Sequence, residues 1–284
     1  MKHVKTLPWD TALSGGLKAF IRSNEPVIVE GMRDFPPLRW SVDELERRYG
    51  DIHIRVITSN TQYFSYDEKR ERAVVQMPLA EFIEWGIRRV GADGQYYALG
   101  RSPAAQFPGL LDEIVLPKPL RQLQQGVGRL LEKNLWMSPG GTRTALHFDT
   151  VENFNIQVEG QKSFLLFPPS IQGMYPHRLN SQASYVSPVD PRYPDLARFP
   201  DFPIQKASEA VLSPGSMLYL PYGWWHQVNT TGDRNVNVNY WWLPRLKLLR
   251  YWRQSLRGAI VVAHRRGKHP HERAEKMLKN DRAD

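Results

Sequence analysis

The chain has 284 residues (32.9 kDa), room for one large domain or two small ones, and its 41% hydrophobic content, with 9 Trp, 11 Phe and 12 Tyr, excludes wholesale disorder. It holds no Cys, which excludes disulfides, thiolate metal sites and Cys nucleophiles together. The net charge is +9, but residues 244–284 carry 12 of the 38 Lys and Arg against 4 of the 29 Asp and Glu, so the body is near neutral and the basicity is a C-terminal feature.

Met1 to Asp10 has no apolar h-region, so no secretory signal is expected, and no apolar run approaches the ~18–20 residues of a membrane-spanning helix. A cytoplasmic protein is the expectation. Pro26 to Gly31 is a short β-rich run closed by Gly. Ser41-Val42-Asp43-Glu44 after Trp40 predicts a capping box, with a helix to Tyr49 and a stop at Gly50. Ile52 to Val56 reads as a strand. Met77-Pro78-Leu79 opens a second helix with Phe82, Ile83 and Trp85 as core candidates, and Gly91 to Gly94 forms a turn. The prolines from Pro103 to Pro119 predict an irregular connection.

From Leu135 to Trp242 the pattern is β. The short runs Phe154–Val158, Ser163–Phe167, Ser216–Leu220 and Val236–Tyr240 are separated by turn residues, which predicts a sandwich or barrel. Tyr175 to Pro203 is a polar, Pro-rich insertion between two of them, in the manner of a functional lid or of a packed surface loop. Beyond Trp242, Leu246, Leu249, Trp252, Leu256 and Ile260 recur at helical spacing, with Arg250, Arg253 and Arg257 as a basic stripe. A further helix is expected over His271 to Leu278.

The chemistry centres on His147-Phe148-Asp149. Residues two apart on a strand point the same way, so His147 and Asp149 share a face and Phe148 turns into the barrel wall. Downstream, Gly215 to His226 reads as a turn, a strand, and a bend at Pro221-Tyr222-Gly223 that aims His226. Two His and one carboxylate match the ligand set that binds Fe(II) and leaves adjacent positions open for O2 and a cosubstrate. His-x-Asp alone also fits a strand-end His bonded to a nearby Asp. Asn153, Asn155 and Gln157 share one face of an otherwise apolar strand, and buried amides in a row suggest a polar cavity. A solvated outer face is the ordinary alternative. His3, His53, His177, His264, His269 and His271 lack ligand spacing with the triad.

These segments resemble the JmjC-type, cupin-8 family of Fe(II)- and 2-oxoglutarate-dependent oxygenases, and within it the asparaginyl and tRNA wybutosine hydroxylases. The resemblance is carried by Thr144 to Asp149, Asn153-Phe154, Gly160-Gln161-Lys162 with Leu166 to Pro169, Gly215 to His226 and Asn239-Tyr240-Trp241. Pro26 to Met32 and Trp40 to Asp51 also look like the family's entry region, so the resemblance covers nearly the whole chain up to Trp242.

The resemblance implies a double-stranded β-helix (jelly roll), mainly β with flanking helices. An α/β region would occupy about residues 1–130 and the barrel about 131–243, with a basic helical extension over 244–284. It also implies that His147, Asp149 and His226 ligate iron and that Lys162 anchors the distal carboxylate of 2-oxoglutarate. Thr144 would bond the same carboxylate, and Asn153 and Asn239 would line the pocket. Tyr97, or its neighbour Tyr96, would add a hydroxyl. Arg234 is a rival anchor, but Thr231 to Asn235 reads as a hairpin tip with a solvated Arg.

The implied reaction couples decarboxylation of 2-oxoglutarate, to succinate and CO2, to hydroxylation of a second substrate. A protein or peptide side chain is the first expectation for that substrate. A tRNA nucleoside is second, given weight by the basic tail, and a small molecule third. Demethylation ranks last, because the chain has no reader domain. A non-catalytic, metal-binding cupin is the alternative of a different class. The C-terminal helices are expected to form a homodimer, with RNA or an acidic partner next and a membrane surface after that.

Overall fold

The computed structural model describes residues 1–64, 72–99, 102–179, 181, 183–244 and 247–267. Two long strands, Glu152–Phe167 and Trp225–Pro244, run antiparallel along their whole length and form the spine of a 12-stranded sheet. In the first half of Glu152–Phe167, Asn153–Ile156 also pairs with Met217–Leu220. In the second half, Lys162–Leu166 pairs with Ser208–Leu212. The same strand thus serves both halves of a rolled sheet, which is the expected jelly roll.

Between the halves the register shifts at Glu159 and Gln161. Gly160 sits there at φ +73°, and a Cβ would stand 2.1 Å from the Arg234 carbonyl oxygen. Only glycine suits that crossing.

Alternation decides which side chains meet. Phe154, Ile156 and Val158 point outward into the main core with Tyr219, Tyr240 and Trp242. That core is closed by the N-terminal region, where Val27–Glu30 extends the sheet beside Met217–Leu220. A separate three-stranded sheet orders Arg72–Pro78, His53–Ser59 and Tyr96–Leu99. The Ser41 cap forms as expected: its Oγ accepts from the Glu44 N–H at 3.2 Å and the helix spans Val42–Tyr49. The Glu44 carboxylate turns instead to Arg47.

The Pro103 to Pro119 stretch is less irregular than expected. It holds short turns at Ala104–Gln106 and Leu110–Glu113, and it runs into a helix, Lys118–Val127, that its prolines concealed. Pro119 sits in that helix's first turn, where no N–H is needed.

The Tyr175 to Pro203 insertion forms no regular element among the described residues. Its Val189, Phe199 and Phe202 pack with Phe148, Phe167 and Trp225 in a second core, so it is a packed layer. The C-terminal helix covers Trp252–Gly267, preceded by Lys247–Arg250. Lys247 Nζ lies 2.6 Å from Oε1 of the fully buried Glu152, whose other oxygen accepts from the Tyr219 hydroxyl. Burial pushes this carboxyl up and this amine down, and each offsets part of the other's shift. Leu246 and the helix expected over His271 to Leu278 lie outside the described residues. Among those residues, no helix is long and apolar enough to cross a membrane.

Candidate metal centre

The strand His147–Phe148 pairs antiparallel with Trp225–Pro244, placing His147 opposite His226 and Phe148 opposite Trp225. Directly opposed residues point to the same side. Both imidazoles therefore face the lumen, with ring centroids 4.2 Å apart, while Phe148 and Trp225 meet edge to face at 4.8 Å on the other side. Asp149 follows as the strand ends, and its backbone oxygen accepts from the Gly223 N–H at 3.0 Å. Gly223 has φ +76°, so the Pro221 to Gly223 bend both aims His226 and fastens the loop that carries Asp149.

Ligand atoms of His147, Asp149 and His226 all lie within 4.8 Å of one another. The Nδ1 of His147 is 2.8 Å from the Ala145 carbonyl and that of His226 is 3.0 Å from the Trp224 carbonyl. A carbonyl only accepts, so each Nδ1 carries the proton and each Nε2 offers a lone pair. Burial, and then the His147 ring, push the His226 imidazole down to about 4, against a weaker opposing pull from Asp149. It is neutral, as a ligand must be, at physiological pH. Two imidazole nitrogens and one carboxylate on one side, with no fourth His, Cys, Asp or Glu joining them among the described residues, fit a divalent transition metal with open positions.

Lys162 is 8% exposed, and no hydrogen bond or ion pair reaches its ammonium among the described residues. Desolvation pushes its amine down to about 7. A snorkelling turn lysine would show neither feature. Lys162 shares a strand face with Phe164 and Leu166, and Leu166 stands opposite His226. Four residues along a strand is about 13 Å, a span that a lysine side chain and a small dicarboxylate fill together. Thr144 accepts from the Val228 N–H at 3.0 Å, which leaves its O–H to donate.

The amide row is buried, not solvated. Asn155 accepts from Asn237 at 2.5 Å and Gln157 donates to Asn235 at 2.9 Å, so these two are structural pairs. Asn153 and Asn239 differ: both are 3% exposed, and their Oδ1 atoms have no partner among the described residues. Asn134 stands opposite Asn239 across the sheet, fully buried, with both amide atoms unpartnered. Sequence reasoning missed Asn134, which closes the polar run Glu132-Lys133-Asn134 and carries no local signal that sets it apart. Orphaned amides and an unpaired ammonium, all buried, fit a lumen shaped for a polar anion.

Tyr97 and Arg234 each bond a carboxylate of this chain. The Tyr97 hydroxyl bonds to the Asp93 carboxylate within the small sheet's own turn, so the structure gives it a partner other than a cosubstrate. Tyr96 lies beside it on the same short edge strand. Arg234 is engaged outside the lumen, 2.6 Å from Glu159 and 3.3 Å from Asp43, as a partly solvated ion-pair network. His3 and His53 are exposed and His177 is half-buried, away from the ligand cluster. The side chains of His264, His269 and His271 lie outside the described residues.

A family model described as a cupin-like domain matches residues 15–247. The chain belongs to that family, in its JmjC-type branch. It is similar to "Lysine-specific demethylase 8" of Danio rerio, at 32% identity over 231 residues, covering 78% of this chain and 54% of that protein. It is similar also to "HSPB1-associated protein 1" of Rattus norvegicus, at 37% identity with 73% and 46% covered. A third relative is "Bifunctional peptidase and (3S)-lysyl hydroxylase JMJD7" of Homo sapiens, at 26% identity with 77% of each covered. The chain spans about half the length of most of the curated relatives it matches. Proteins named as demethylases stand among them, where sequence reasoning had ranked that branch last.

Proposed function

We propose that this chain is an Fe(II)- and 2-oxoglutarate-dependent dioxygenase that hydroxylates a side chain of a protein or peptide. One observation carries the reading. A His147–Asp149–His226 cluster shares a lumen with a buried, unneutralised Lys162 and the orphaned amides of Asn153 and Asn239. Iron there would supply O2 activation coupled to cosubstrate decarboxylation. The protein's own part is positional. His147, Asp149 and His226 would hold the metal, with both Nδ1–H groups fixed on backbone carbonyls so that the rings do not turn. The Lys162 ammonium would bond the distal carboxylate and the Thr144 hydroxyl would donate to it. Phe148, Trp225 and the insertion exclude water from the outer side of the ligand strands.

A protein substrate is favoured by two relatives whose names carry a lysyl hydroxylase and a lysine-specific demethylase activity. The second reading is a tRNA nucleoside hydroxylase, favoured by the basic C-terminal segment. A homodimer is part of the proposal, because Leu249, Trp252 and Leu256 are exposed along the C-terminal helices at 88%, 59% and 44%.

The test needs no prime substrate. Fe(II) and then 2-oxoglutarate are added to metal-free protein without O2, and the visible charge-transfer absorption is recorded. The expected band disappears in Asp149→Ala. A folded, iron-binding protein with no band would overturn the oxygenase reading in favour of a metal-binding cupin scaffold.

A further inference from the structure

A groove of about 990 Å³ runs along the outside of the barrel, between the N-terminal strand, the Pro168 to Pro176 segment and the C-terminal helix. Phe148 and Trp225 form part of its floor. Each is the strand neighbour of a metal-ligand candidate and points the opposite way, so the groove and the lumen lie on opposite sides of the same strands.

Its charge is one-sided. Lys2, Lys5, Arg250, Arg253 and Arg257 line it, and Glu25 is its single carboxylate. None of these five cations forms an ion pair among the described residues, whereas Arg33, Arg47, Arg88, Arg89 and Arg192 elsewhere do. The guanidinium carbons of Arg250 and Arg253 stand 5.6 and 5.4 Å from the ring centroids of Tyr251 and Trp252, within cation–π reach. Arg257 is fixed by the carbonyls of His177 and Ser184, both at 2.8 Å. The cations come from two ends of the chain, Lys2 and Lys5 from the N-terminal segment and the arginines from the C-terminal helices. The floor is apolar, with Val4, Ile171 and Met174 beside the two aromatic rings.

We propose that this groove is a docking site for an acidic, partly apolar protein segment. Carboxylates would meet the arginine forks in bidentate pairs, and apolar side chains between them would fill the floor. Nucleic acid fits less well. Its phosphates repeat without a break, and its recognition rests on a continuous basic track, whereas this groove sets an apolar floor among its cations. The inference stands on charge and shape alone and does not depend on the oxygenase reading.

The experiment uses the full chain and three fluorescein-labelled probes: a short peptide of repeated Glu-Leu-Glu-Phe, the same peptide with Gln for every Glu, and an oligoadenylate. Anisotropy titrations are run with the wild type and with the Arg250→Glu/Arg253→Glu double variant. Both residues are exposed, so thermal melting and the anaerobic 2-oxoglutarate band should match the wild type. The acidic peptide should bind at least tenfold tighter than its Gln counterpart, weaken with salt, and lose at least tenfold in the variant. Equal binding of the two peptides, or no binding, overturns the proposal. Preference for the oligoadenylate, lost in the variant, replaces it with a nucleic-acid site.

Discussion

The first half of the strand Glu152–Phe167 sends side chains in two directions, and the two sets are built on opposite terms. Outward, Phe154 and Ile156 are fully buried among Tyr219, Tyr240 and Trp242, and the buried carboxylate of Glu152 at the strand's start is bonded by Tyr219 and Lys247. Inward, Asn153, Asn155 and Gln157 are as deeply buried among amides, and several polar atoms there go unsatisfied. One backbone thus carries a face that stabilises the fold and a face that costs it stability. The inward face is tolerable because the outward one is so well packed.

The largest effect expected from breaking this division is at the metal cluster. His147→Ala should abolish 2-oxoglutarate turnover and iron binding while the melting temperature stays near the wild-type value, checked by succinate release and calorimetry. A variant that keeps turnover would remove His147 from the ligand set. On the outward face, Phe154→Ala should cost about 3–5 kcal/mol in urea unfolding. The same measurement on Asn153→Ala should show a far smaller loss, since that amide oxygen has no partner to lose. If the two variants lose equally, the division between faces fails.

Lys162 should behave as an inward residue in both directions. Lys162→Met should raise the stability of the metal-free protein by roughly 2–4 kcal/mol at neutral pH, because it removes a desolvated amine, and it should weaken 2-oxoglutarate binding by about 10–100-fold. The amine is pushed down to about 7 by burial. Between that pH and the ordinary lysine range near 10, the unfolded chain holds a proton that the folded chain does not, so wild-type stability rises with pH across the window. Lys162→Met should flatten that rise in urea titrations at several pH values. The smallest effect expected is on cosubstrate affinity. A dicarboxylate requires the ammonium form, so binding should weaken gradually as pH climbs above about 7.

Much of this was legible before any coordinates. The His147–Asp149 pair follows from strand alternation, with a turn glycine at Gly223 to aim His226; alternation sets Asn153 on the amide face, and the family resemblance pointed to Asn239. What stayed hidden depends on partners distant in the chain. Asn134 meets Asn239 only through the pairing of Gly128–Pro139 with Trp225–Pro244. Tyr97, weighed as a hydroxyl for the cosubstrate, donates instead to the carboxylate of Asp93, four residues earlier. The helix Lys118–Val127 was masked by prolines that mark its first turn rather than its absence. The clamp of Arg257 on the His177 and Ser184 carbonyls has no local signature at all.

The ion pair between Glu152 and Lys247 bears on the order in which the molecule can be completed. Synthesis proceeds from the N-terminus, so Glu152, the first residue of the spine, emerges long before the lysine that neutralises it. Until Lys247 arrives, the nascent barrel must either keep Glu152 hydrated or bury it protonated, although every described strand of the sheet is already present by Pro244. The last step of assembly is then the docking of the C-terminal helix, and a chain cut ahead of Lys247 would stall at that point.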